Sequence, residues 1–163
     1  MDRPIGRRAW LSALAGGVGL AAVACQSSGQ SSELNTPDGR VVQWQDDTML
    51  ILVSGLQDQY QVGDVIQFNV LLNNQTNQVV DARVRSKLLG LGDQAVVQAE
   101  PVQLEVETMD ASNVDQELPT GRTLPPGDYT VSVEVPPWVV AGRETGSGAR
   151  LRAPVKVVAA ASG

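Results

Sequence analysis

The sequence predicts an all-β fold, an antiparallel β-sandwich of about seven to eight short strands preceded by a signal peptide and a flexible tether. Three observations predict it. Beyond residue 40, apolar and polar residues alternate with period two in several separate stretches. Gly- and Asn-rich turn signals divide those stretches at intervals of about 8–12 residues, the spacing of a sandwich. No stretch beyond residue 40 carries the 3.6-residue apolar period of an amphipathic helix.

The elements follow in order. Residues 41–44 and 48–54 are short apolar-rich strands, with Trp44 sharing a face with Val42 as a core residue. Ile66, Phe68, Val70 and Leu72 share one face of the next strand, opposite Gln67 and Asn69. Residues 73–77, rich in Asn, make a hairpin loop. The sequon at Asn74 reads more simply as part of that turn. Val80, Ala82, Val84, Ser86 and Leu88 then alternate with Asp81, Arg83, Arg85 and Lys87. Residues 95–98 and 102–107 are further strands after a Gly-rich turn at 89–93. Tyr129, Val131, Val133 and Val135 alternate with Thr130, Ser132 and Glu134. Leu151, Ala153, Val155 and Val157 alternate with Arg150, Arg152 and Lys156. Residues 40–159 suffice for one sandwich core, with 160–163 as a tail.

Residues 1–24 read as a processing segment rather than as fold. Arg3, Arg7 and Arg8 precede an uncharged run at 10–24 that is rich in Ala, Gly, Leu and Val. At ~1.5 Å per residue such a run spans about 22 Å as a helix, short of the ~30 Å hydrocarbon core of a bilayer. Residues 25–39 hold the lone Cys25 and a Ser/Gln/Gly-rich stretch with almost no apolar residue, which predicts a flexible tether.

Composition excludes several chemistries. The 163 residues contain no His and one Cys. There is no Ser-His-Asp triad, no imidazole base, no His-based metal site and no internal disulfide. Taking three Arg and one Asp of residues 1–24 from the 12 basic and 18 acidic residues leaves nine and 17. A net-acidic domain repels nucleic acid and anionic lipid, so no nucleic-acid partner is expected. Asp110, Ser112, Asn113, Asp115 and Glu117 form the densest acidic stretch. Alternate oxygen ligands suit Ca²⁺, but no glycine turns the loop, so a solvated surface loop and no metal are expected. Glu105 and Glu107 share a strand face without the cleft that glycoside hydrolysis requires. No catalytic residues and no cofactor are expected. Pro136 and Pro137 end ladder pairing just before Trp138, which is either a core cap or, as the candidate binding residue, an exposed aromatic for a protein or sugar partner.

Certain residue patterns resemble known families. Gly6-Arg7-Arg8-Ala9-Trp10-Leu11 resembles the twin-arginine export motif, and Leu20-Ala21-Ala22-Val23-Ala24-Cys25 resembles the bacterial lipobox. The second resemblance implies diacylglycerol on Cys25, hence a chain anchored to the cell membrane and facing outward. Leu124-Pro125-Pro126-Gly127-Asp128-Tyr129 resembles the tyrosine corner of immunoglobulin-like and fibronectin type III domains. That resemblance makes Tyr129 a structural corner whose hydroxyl bonds to the backbone upstream. Together they imply a surface lipoprotein whose immunoglobulin-like domain is a non-enzymatic binding or scaffolding module. Its partner would be another envelope protein or, less favoured, a glycan. The alternative is a proteinase inhibitor of the BsuPI type, whose late Pro-Gly-x-Tyr strand is similar. Residues 141–148 would then be the inhibitory loop.

Overall fold

The computed structural model describes residues 29–36, 39–145 and 148–160, and pairs the alternating stretches into two sheets facing each other across one core. In chain order the strands are β1 (Gln30–Thr36), β2 (Gly39–Gln45), β3 (Met49–Leu56), β4 (Gln59–Gln61), β5 (Val65–Asn74) and β6 (Val80–Leu89). After a 3₁₀ turn at Leu91–Asp93 come β7 (Ala95–Gln98), β8 (Val102–Val106), β9 (Ala111–Pro119) and β10 (Gly127–Val135). The chain closes with β11 (Trp138–Val140), β12 (Arg143–Thr145) and β13 (Ala149–Val158). The first sheet has the order β1-β2-β3-β5-β9. The second has the order β12-β11-β6-β10-β13-β4, with β7 and β8 on the other edge of β6. Pairing is antiparallel except where β4 lies parallel to β13.

Inward positions of both sheets make a single apolar layer. Ile51, Val53, Ile66, Val70 and Leu72 of the first sheet face Val80, Val84, Leu88, Val133 and Leu151 of the second, all at most 2% exposed. Each such side chain contributes about 1.5–3 kcal/mol by leaving water. The β-branched and Leu-rich pattern therefore fixes register, because a slip by one residue would turn every one of them outward.

Three expectations are corrected. The tether expected over 25–39 is strand from Gln30 to Thr36, paired residue for residue with β2. It carries no apolar alternation because every residue in it is exposed, so hydrophobic patterning could not mark it. The acidic stretch expected as a loop is β9, with Gln116 and Leu118 turned inward and Asp115 and Glu117 outward. Its inward face is part polar, which hid the period. The described residues form thirteen strand segments rather than seven or eight. The excess is β1, β9, the short β4 and the break that Pro136 and Pro137 put into the last long hairpin, which splits into β10/β13 and β11/β12. Gly148 lies opposite that break at φ +75°, where a Cβ would fall 2.7 Å from the Val135 carbonyl oxygen.

The corner at Tyr129 joins the sheets at the opposite end. Its hydroxyl donates to the Pro125 carbonyl at 2.7 Å, closing the arch that leads into β10.

Candidate functional site: the outer face of the first sheet

Register places the outward residues in rows across the strands. Ser32, Gln43, Leu52, Leu71 and Asn113 form one row, and Gln45, Leu50 and Asn73 form the next. Ser54, Asn69 and Asp115 continue the face, with Gln67 beside Glu117. Leu50, Leu52 and Leu71 are partly buried and stand at the centre. Amides and carboxylates surround them. Asn69 Nδ2 donates to Asp115 Oδ1 at 3.0 Å, and Gln67 Nε2 to Glu117 Oε1 at 3.0 Å. Each amide also keeps one further N–H and its carbonyl oxygen beyond this bond. Beside them Ser54 and Gly55, which brings no side chain, open a shallow depression of about 430 Å³. The five strands of this sheet contain a single basic residue, Arg40. The face thus has a small apolar centre and a polar, hydrogen-bonding rim.

The outer face of the second sheet is different. Arg83, Arg85 and Lys87 of β6 and Arg150, Arg152 and Lys156 of β13 point outward, separated by Glu134 of β10. Glu134 pairs with Lys87 at 3.5 Å and with Arg150 at 3.0 Å, and Arg152 pairs with Asp93. Solvent screens such pairs, so this face is a water-facing one.

The residues singled out by sequence fall in separate places. Trp138, the candidate binding aromatic, is 1% exposed. It meets Trp44 edge-on, ring centroids 5.7 Å apart at 80°, so it is a core residue and not a surface anchor. The break at Pro136 and Pro137 re-aims β11 and carries this large ring inward. Tyr129 stands at the far arch, remote from Trp138 along β10. Cys25, Arg7 and Arg8 lie outside the described residues. Among the described residues no group of three or more His, Cys, Asp or Glu side chains is placed to hold a metal ion, and no helix is long and apolar enough to cross a membrane.

Two residues matter more than sequence patterning signalled. Asn74 is 1% exposed. Its Nδ2 donates toward the carbonyls of Gln78 (2.7 Å), Val106 (3.1 Å) and Glu107 (3.0 Å), and its Oδ1 accepts from Thr76 N and Oγ1. The sequon asparagine is thus a buried staple between the β5–β6 and β8–β9 turns. Tyr60 lies against the core, and its oxygen accepts from Gln57 N at 2.8 Å. Burial pushes its phenol above the ordinary 10.0, opposed by that hydrogen bond and by Arg40 and reinforced slightly by Asp58.

No known protein family matches the chain, and no curated protein matches it. Among solved structures it is similar to the β-glucosidase from Listeria innocua. In complex with isofagomine that structure gives a TM-score of 0.53 at 13% identity over 72% of this chain. A mutant of it in complex with laminaribiose gives 0.54 at 13% identity over 71%. The chain spans 17% of the length of either structure. At this identity the likeness establishes the sandwich fold and nothing of the enzyme's activity.

Proposed function

We propose that this chain is a lipid-anchored surface module, non-enzymatic, whose immunoglobulin-like sandwich binds or scaffolds another envelope protein through the outer face of its first sheet. The observation that carries the reading is the contrast between the two outer faces. One is studded with cations, three of them (Lys87, Arg150 and Arg152) in ion pairs, and the other is an amide-rimmed cluster of Leu50, Leu52 and Leu71 whose charges, Asp115 and Glu117, are both acidic. A partner for it presents apolar and amide groups, with Lys or Arg opposite Asp115 and Glu117.

The anchor supports the same reading. Diacylglycerol on Cys25 supplies the two chains that stable attachment requires, and Gln30 opens β1 only five positions later. Those positions reach at most ~17 Å when extended. The module would therefore stand close to the bilayer, at the end formed by the β2–β3 and β5–β6 turns. The inhibitor alternative needs residues 141–148 exposed and rigidly extended, and within that span Arg143–Thr145 is an exposed strand, β12, paired with Trp138–Val140. Assay of secreted proteases with and without the soluble domain separates the two readings, and no inhibition at micromolar concentration would dispose of the second.

Two measurements test the proposal. The mass of the mature chain is expected to show a lipid-modified Cys25 at its N-terminus, and an unmodified thiol would refute the anchor. A capture experiment from detergent-solubilised membranes is expected to retain a partner that Leu52→Gln with Leu71→Gln releases. Retention by the double variant would refute the face.

A further inference from the structure

The first strand is held unlike any other. All seven residues of β1 are exposed, and its one large apolar side chain, Leu34, is 56% exposed. At its downstream end the Thr36 hydroxyl donates to the Gly39 carbonyl at 2.7 Å, within the hairpin to β2. Beyond that hairpin and its ladder, two latches among the described residues hold the strand. At its upstream end Gly29 lies against the Trp44 indole so closely that a Cβ there would fall 2.0 Å from ring carbons. At its centre Glu33 Oε1 sits 2.8 Å from Arg40 Nε. Arg40 does not depend on that contact, because its guanidinium also bonds the Asp58 carboxylate and the Pro154 carbonyl across the sandwich edge.

We propose that β1 is a releasable strap, latched by Gly29 on Trp44 and by Glu33 on Arg40, that opens without unfolding the sandwich. An edge strand that buries no apolar side chain draws on little beyond its ladder, so it belongs to the least stable part of the fold. Arg40 keeps its inter-sheet bonds when the strap leaves. Release bares the hydrogen-bonding edge of β2 and uncovers Trp44, the place where an extended strand from a partner can add. A second consequence rests on the lipid-anchor reading. Docked, only residues 26–29 separate Cys25 from the fold. Released, residues 26–39 do, with a root-mean-square reach of about 20 Å. The strap would then set how far the module stands from the membrane.

Hydrogen exchange on the full chain, as its host matures it, tests this. Peptides covering residues 30–36 are expected to exchange at least ~100-fold faster than those covering 49–56. Glu33→Ala and Gly29→Ala are each expected to speed exchange of residues 30–36 by about 3–10-fold and to leave 49–56 and 65–74 unchanged. A disulfide between Ser32→Cys and Gln43→Cys, which are register partners, is expected to slow it. Equal protection of 30–36 and 49–56 would overturn the strap, as would latch variants that speed every strand alike. Fast exchange in a chain whose mass shows no lipid would keep the strap and remove only the change in tether length.

Discussion

Outward from the second sheet, β6 and β13 present Asp81, Arg83, Arg85, Lys87, Arg150, Arg152 and Lys156; outward from the first, β3 and β5 present Leu50, Leu52, Ser54, Gln67, Asn69, Leu71 and Asn73. Both faces obey the same period of two, and both turn Val, Ile and Leu to the shared core. They differ in what they offer outward. Long charged side chains keep the second face hydrated and tie one another down through Glu134. The first face instead offers amides and three partly buried leucines, with Gln67 and Asn69 bonded to Glu117 and Asp115. A strand's periodicity decides which residues face out, and their chemistry decides what meets them.

The comparison requires both faces to rest on a rigid common layer. The largest expected effect tests that layer. Trp138→Ala is expected to cost about 3–5 kcal/mol in urea or guanidinium unfolding. A cost near that of a surface substitution, under ~0.5 kcal/mol, would return Trp138 to the surface and break the assignment of the faces. Next is Asn74→Ala, which leaves the carbonyls of Val106 and Glu107 without their side-chain donor. A loss of about 2–3 kcal/mol is expected, since buried groups without partners carry the full desolvation cost. The same variant sharpens the comparison, because the staple holds the β5–β6 and β8–β9 turns, which lead from one sheet to the other. Tyr129→Phe removes only the hydroxyl bonded to Pro125, with an expected loss of about 1 kcal/mol and no change in partner capture.

The smallest expected effect is in pH. Tyr60 is neutral when protonated, and burial raises its folded pKa above the unfolded value. Its contribution is therefore fully present below the unfolded pKa, about 10, and is lost as pH rises through the folded value. Stability of the wild type should fall more steeply above about pH 10 than that of Tyr60→Phe. Equal slopes in pH-dependent unfolding would contradict the burial argument.

Much of the sandwich was legible from residues alone. The alternation of Val80 to Leu88 against Asp81 to Lys87, and of Tyr129 to Val135, marks half-buried strands because each buries one face. The candidate site was not legible in the same way. In 49–53 apolar residues occupy both faces, so alternation says nothing of whether Leu50 and Leu52 point outward, and although it puts Leu71 with Gln67 and Asn69 it does not say what lies beside it. Only pairing with Gln43 on one side and Asn113 on the other reveals Leu52 and Leu71 as one cluster. Strand β9 escaped for a related reason, since Gln116 takes an inward position where an apolar residue would have marked the period. Strand β1 has no burial to mark it at all. Trp138 was ambiguous because a proline pair can end a strand or merely bend it, and here it bends the hairpin so that the ring turns into the core.

The central proposal is that a protein partner binds the first sheet's outer face and not the second's. The direct measurement is capture from detergent-solubilised membranes with the full chain, Leu52→Gln with Leu71→Gln, and Arg85→Glu with Arg152→Glu, each checked for unaltered thermal unfolding. The account predicts that the leucine pair loses at least ~10-fold in partner retention, about 1.4 kcal/mol, while the arginine pair keeps it. Retention by the leucine pair would contradict it, as would loss by the arginine pair.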